Sequence, residues 1–201
     1  MAVRTIETPT FGHPAVTMSA LSSAECRAAI FASEACGYEA ALLNVGMNQQ
    51  VLSVSTRSSA RCVIDSPAIA AELWARIRAA LPAKYFVGPW RASCLNERLR
   101  FLRYSRGDFF RPHFDGCFRN ERTGEVSQVT VMLYLNEGFV GGETTFPDPC
   151  RDRADAEVLF APTTGAALVF DHGTFHSGAL VADGVKYAIR TDIMFKRHEA
   201  D

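Results

Sequence analysis

The sequence predicts an α+β chain in which helices come first and a β-rich core follows. Three observations carry this. Two segments within residues 18–90 have helical caps and helical apolar spacing, the apolar period changes to two from about Cys94, and glycines punctuate the second half at turn-like intervals. Several short strands separated by glycine suggest a β-sandwich or barrel, braced by the helices that precede it.

Taken in order, Met1 to Val16 has no apolar run after a basic start, so no secretory leader is expected. Leu21-Ser22-Ser23-Ala24-Glu25 opens with capping residues and leads into an alanine-rich helix ending at Gly37. Val51 to Val63 reads as one or two short strands with polar interruptions. Asp65-Ser66-Pro67 is a second helix start, a polar cap with proline near the first helical position. Ile69, Leu73, Trp74, Ile77 and Leu81 form the stripe of that helix, and Pro82 ends it.

The strands follow. Leu99 to Tyr104 is one. Gln128 to Leu135 alternates well, with Val129, Val131, Leu133 and Leu135 on one face and Gln128, Thr130, Met132 and Tyr134 on the other. Ala166 to Phe170 is short and apolar. Val185 to Phe195 puts Lys186, Ala188, Arg190 and Asp192 on one face and Tyr187, Ile189, Thr191 and Ile193 on the other. Gly116, Gly124, Gly138, Gly141-Gly142, Gly165 and Gly184 mark the turns. The 201 residues fit a single domain over 1–201, with a helical support region at about 18–90 and a core at about 94–197.

Composition narrows the function classes. Hydrophobic residues make up 48% of the chain and charged residues 21%, enough to bury a core without disulfide staples. The formal net charge of −1 argues against nucleic-acid or anionic-membrane binding. No stretch approaches the roughly 18 apolar residues that span a bilayer. Six scattered cysteines with no CxxC pair are expected as free thiols, which fits a cytoplasmic protein. The arginine-rich stretch Arg91 to Arg111 reads as a solvated basic face with ion pairs.

The chemistry concentrates on histidine. His113-Phe114-Asp115 places an imidazole and a carboxylate at positions i and i+2, which share a face when the segment is extended. His176 follows a separate strand, and antiparallel pairing can bring it to them. Two imidazoles and one carboxylate form a facial ligand set that holds Fe(II) and leaves other positions open. A His-x-Asp pair alone has little specificity. Its surroundings add weight: an aromatic-rich turn preceded by Tyr104, a Gly141-Gly142-Glu143-Thr144-Thr145 turn after the Tyr134 strand, and Lys186 ten residues beyond His176. His172 reads as structural or as a neighbour of the ligands, and His13 and His198 as surface residues.

The pieces RFLRYSRGDFFRPHFDG, VTVMLYLNEGFVGGETTF, GAALVFDHGTFHSG and GVKYAIRTDIMF, from about Cys94 to Phe195, together resemble the core of the prolyl 4-hydroxylase-like 2-oxoglutarate/Fe(II) dioxygenases. The resemblance implies a double-stranded β-helix (jelly-roll) core. It implies Fe(II) on His113, Asp115 and His176, with 2-oxoglutarate and O2 as cosubstrates and ascorbate as a reductant. It implies a cation for the distal carboxylate of 2-oxoglutarate; the spacing of ten residues after His176 favours Lys186, and Arg190 is the alternative. Tyr134 is a hydrogen-bond donor to the same carboxylate, and Tyr104 lines the same pocket; otherwise each is a half-buried sheet tyrosine. Thr144 and Thr145 are weaker candidates. The implied activity is hydroxylation of a C–H bond in an amino-acid, peptidyl or small-metabolite substrate, with release of succinate and CO2. The alternative is a non-catalytic jelly-roll protein that binds a metal or senses a ligand. The loops from Gly116 to Gln128 and Asp148 to Glu157 carry no readable substrate code.

Overall fold

A computed structural model describes residues 3–9, 14–46, 49–148, 150 and 157–198. His13, Arg151 and most of the Asp148–Glu157 loop lie outside these residues.

Alternating apolar residues build two facing antiparallel sheets. The larger runs in the order Val3–Ile6, Ala15–Ser19, Ala166–Asp171, Val126–Tyr134, Lys186–Arg197, Arg98–Tyr104, Ala60–Asp65, Glu39–Ala40. Trp90–Leu95 pairs with the far half of Lys186–Arg197. The smaller sheet orders Val158–Phe160, Thr144–Phe146, His176–Gly178 and Phe110–His113. Phe146 of the smaller sheet meets Phe170 of the larger edge-to-face, with ring centroids 5.5 Å apart. Leu168, Ala188 and Tyr134 fill the space around them. This is a jelly-roll core.

The two helices cover the outer face of the larger sheet. Val129, Val131, Leu133, Ile189 and Ile193 form one buried cluster with Ala70, Leu73 and Ile77 of the Pro67–Ile77 helix. Burying each such aliphatic side chain stabilises the fold by about 1.5–3 kcal/mol before entropy is subtracted. The Ser23–Cys36 helix begins with a capping box. The Ser22 hydroxyl accepts from the Glu25 N–H while the Glu25 carboxylate accepts from the Ser22 N–H. Gly165 then ties the helical part to the core: its carbonyl accepts from the N–H groups of Ala20 and Leu21. Its φ of +83° is left-handed, and a Cβ there would stand 2.0 Å from the Leu21 carbonyl oxygen, so only glycine fits.

Three features differ from the sequence reading. Val3–Ile6 and Ala15–Ser19 are strands that extend the large sheet, a pairing that their short, interrupted pattern does not signal. The second helix ends at Ile77 and tightens into a 3₁₀ turn over Arg78–Ala80, ahead of Leu81. The Arg91–Arg111 stretch is not uniformly solvated. Arg98 and Arg103 make exposed ion pairs with Asp65 and Glu34, but Arg100 is mostly buried beside Asp192 at 3.3 Å. Among the described residues, no helix is long and apolar enough to cross a membrane. All six cysteines are free.

Candidate active site

The smaller sheet brings the histidines together. His113 closes the Phe110–His113 strand and His176 opens the His176–Gly178 strand, and the two are direct cross-strand partners. Their rings lie 4.3 Å apart. Asp115 follows just past the strand end, and its N–H donates to the His172 carbonyl. One ligand atom from each of His113, Asp115 and His176 lies within 4.8 Å of the others.

Second partners fix how each group is presented. The Nδ1 of His113 lies 2.8 Å from the Arg111 carbonyl and that of His176 lies 2.9 Å from the Thr174 carbonyl. A carbonyl only accepts, so Nδ1 carries the proton in both rings and the Nε2 lone pairs are left for a ligand. Nε2 of His113 and of His176 stand 3.8 and 3.7 Å from the Asp115 oxygens. Burial pushes His113 down to about 4, and it lowers His176 as well, so both are neutral imidazoles near neutral pH. Burial alone would raise Asp115, but the Arg190 guanidinium at 3.0 Å and the two imidazoles hold it well below the usual carboxylate range. The Thr130 hydroxyl donates to its other oxygen at 2.5 Å. Two neutral imidazoles and an ionised carboxylate, oriented and partly desolvated, fit a divalent iron ion.

The larger sheet supplies the rest of the pocket from one face of Lys186–Arg197. Register places Lys186 opposite Tyr104, Ala188 opposite Tyr134, and Arg190 between Arg100 and Met132. Lys186 is 2% exposed, and its ammonium donates to the Gly142 carbonyl at 2.6 Å. It stands 5.2 and 5.4 Å from the ring centres of Tyr104 and Tyr134. No carboxylate among the described residues pairs with it, and burial pulls its pKa down to about 8. The Tyr134 hydroxyl shares a 2.5 Å hydrogen bond with that of Thr144. Thr145 instead bonds Ser177. Arg190 spans Asp115 at 3.0 Å and Asp192 at 3.1 Å. The two cations, of which spacing in the sequence favours Lys186, thus have different surroundings. A cavity of about 310 Å³ joins the histidines, Asp115, Tyr104, Thr144, Lys186 and Arg190.

His172 is buried behind the site, with Nε2 3.4 Å from Asp192, as its position in the sequence suggests. His198 is exposed at the end of the last strand. Sequence reasoning missed Arg57, Leu42 and Leu43, which also line the cavity. They come from the segment before the core, and Ser55-Thr56-Arg57-Ser58 has no feature separating it from an ordinary polar loop.

Residues 99–191 match the model of the 2OG-Fe(II) oxygenase superfamily, a stretch that contains the whole triad. Over this stretch, a little under half of its length, the chain is similar to that superfamily. The superfamily implies Fe(II), 2-oxoglutarate and O2 as its working set. Among curated relatives, the chain is 29% identical to prolyl 4-hydroxylase 1 of Arabidopsis thaliana over 110 residues, 46% of this chain and 38% of that protein. It is 36% identical to the probable prolyl 4-hydroxylase 11 of the same plant over 74 residues, 37% of this chain and 24% of the relative. The chain therefore spans well under half the length of these relatives. Among solved structures, a Pseudomonas putida prolyl-4-hydroxylase superposes with a TM-score of 0.61 at 22% identity, covering 92% of this chain and 93% of that one. A Trichoplax adhaerens prolyl hydroxylase, solved with a hypoxia inducible factor peptide fragment, gives 0.61 at 17% identity, covering 89% and 82%. These two solved structures share the jelly-roll fold of this chain.

Proposed function

We propose that this protein is a 2-oxoglutarate-dependent dioxygenase that hydroxylates a C–H bond of an amino-acid, peptidyl or small-metabolite substrate. The observation that carries this reading is one cavity lined by both a His-Asp-His set and a buried lysine that has no ion pair among the described residues. Fe(II), 2-oxoglutarate and O2 bound together supply the oxidation, in which substrate R–H becomes R–OH and 2-oxoglutarate leaves as succinate and CO2.

His113, Asp115 and His176 hold the metal, and their backbone and Thr130 hydrogen bonds keep the three donors aimed at one point. Arg190 acts as a positioning residue: it keeps Asp115 ionised and, with Thr130 on the other oxygen, fixes the carboxylate that would hold the metal. Lys186 receives the distal carboxylate of 2-oxoglutarate, which would restore a buried charge pair in a dry pocket. Tyr104, Tyr134 and Thr144 surround that end, and a shared hydroxyl proton between Tyr134 and Thr144 can turn toward an incoming oxygen. Arg190 is less suited to the distal carboxylate, because Asp115 and Asp192 already occupy it.

The names of the relatives favour a prolyl residue as one class to test, and the Trichoplax protein's peptide complex favours a peptidyl substrate. The direct test is conversion of 2-oxoglutarate to succinate by purified protein with Fe(II) and O2. Turnover that disappears in Asp115→Ala supports the reading. A well-folded, iron-binding wild type that never consumes 2-oxoglutarate, with or without candidate substrates, overturns it.

A further inference from the structure

The cavity holds more positive charge than a metal site and one cosubstrate would use. Five cations line it: Arg57, Arg61, Arg100, Lys186 and Arg190. Three have acidic partners, Arg61 with Glu39, Arg100 with Asp192, and Arg190 with Asp115 and Asp192. Lys186 is assigned above to 2-oxoglutarate. Arg57 has no acidic partner among the described residues.

Arg57 is held in place. Its backbone bridges to Phe110, the Ser58 N–H donates to the Phe109 carbonyl, and the Arg111 N–H donates to the Thr56 carbonyl. The Arg57 guanidinium lies 4.7 Å over the Phe110 ring, which itself stacks on His113 at 3.6 Å. Its Nε donates to the Ser59 hydroxyl at 2.8 Å, while Nη2 is buried with no partner among the described residues. A guanidinium cannot shed its proton to escape burial, and the Phe110 ring, the Ser59 hydroxyl and the more distant Asp115 compensate it less than an anion in direct contact would.

We infer that the primary substrate carries a carboxylate, and that Arg57 binds it on the cavity wall it shares with Phe110 and His113. The inference rests on the proposed dioxygenase reading, in which the metal and Lys186 already hold both carboxylates of 2-oxoglutarate. A single unpaired cation matches a single negative charge. A phosphate would call for further free cations, and the neighbouring arginines are committed to Glu39 and Asp192. The carboxylate anchors one end of the substrate and presents a C–H bond elsewhere in it to the metal.

Calorimetry under anaerobic conditions, on protein loaded with Fe(II) and 2-oxoglutarate, tests this with paired probes. N-acetylproline and N-acetylleucine are each titrated as the free acid and as the N-methylamide. N-acetylglutamate N-methylamide, against its glutamine counterpart, asks whether the carboxylate belongs to a side chain. At least one acid is expected to bind tenfold or more tighter than its neutral partner. Arg57→Gln should erase that preference and Arg57→Lys should keep part of it. Equal binding of acids and amides, no binding of any acid at millimolar concentration, or an Arg57→Gln effect confined to 2-oxoglutarate would each overturn the inference. Failure of 2-oxoglutarate to load at all strikes the dioxygenase reading instead, so the two failures are distinct.

Discussion

The two faces of the Lys186–Arg197 strand are built from alternate residues of one stretch of chain, yet they follow different rules. Outward, Ile189 and Ile193 are 3% and 0% exposed in an apolar cluster against the Pro67–Ile77 helix, and the two polar side chains there carry no charge: Thr191 donates to the Asn96 carbonyl and Tyr187 to Glu34. Inward, Lys186 and Asp192 are each 2% exposed and Arg190 is in ion-pair contact with two carboxylates. Buried charge costs several kcal/mol per group unless it is paired, and even paired it seldom stabilises as well as packed hydrocarbon. The outer face therefore holds the fold together, and the inner face spends stability on chemistry. Variants on the two faces should separate activity from stability.

The largest separation is expected at the metal. His176→Ala should remove 2-oxoglutarate turnover to below about a thousandth of wild type, since a ligand of the reacting centre is gone, while the melting temperature changes little. Activity assays paired with thermal melts check this, and substantial residual turnover would break the contrast. Leu133→Ala is the converse. Leu133 is fully buried on the outer face, so its loss should cost about 2–5 kcal/mol in denaturant unfolding. The protein that remains folded should turn over nearly as wild type does. An activity loss larger than the loss of folded protein would show that the faces are coupled.

Lys186→Met sharpens the comparison, because methionine keeps the bulk and removes a buried charge that has no ion pair among the described residues, only the longer-range attraction of Glu143. Affinity for 2-oxoglutarate should fall about tenfold to a hundredfold, the weight of one charge-assisted contact. The protein without ligands should be no less stable than wild type, since desolvation of the ammonium is relieved. The smallest effect is in pH. With its pKa pulled down to about 8 from the ordinary 10.5, Lys186 binds a proton less tightly in the folded protein than in the unfolded chain. The unfolded chain thus holds more protons between those values, and this residue's contribution to stability rises with pH across that window. Binding of 2-oxoglutarate has the opposite trend. It needs the ammonium, so it should weaken about tenfold per unit above pH 8, and the Lys186→Met protein should be flat over the same range.

Much of this division is readable from residue order. The alternation in Gln128 to Leu135 and Val185 to Phe195 assigns the two faces correctly, because sheet side chains have a strict period of two. Ser22, Glu25 and Pro67 mark the helix starts for local reasons that tertiary contacts do not override. The meeting of His113, Asp115 and His176 is legible as chemistry but not as geometry, since the cross-strand pair joins residues 63 positions apart. Pairings at long range are what the sequence conceals. Lys186 and Arg190 are both cations on one face, and only the fold shows Asp115 and Asp192 claiming the second. Arg100 looks like its exposed neighbours until Asp192, 92 residues later, is placed beside it. Arg57 and the strands at Val3–Ile6 and Ala15–Ser19 are hidden for the same reason: short segments, with little local pattern, take their roles from what they meet.

The most direct test of the central claim, that the pocket between the smaller sheet and the inner face holds Fe(II) and 2-oxoglutarate together, is an anaerobic Fe(II) titration followed in the visible, with and without 2-oxoglutarate, on wild type and His176→Ala. A charge-transfer band that requires both iron and 2-oxoglutarate, and that is missing in the variant, is the expected result. A folded, iron-loaded wild type with no such band, or a band of equal strength in His176→Ala, would contradict it.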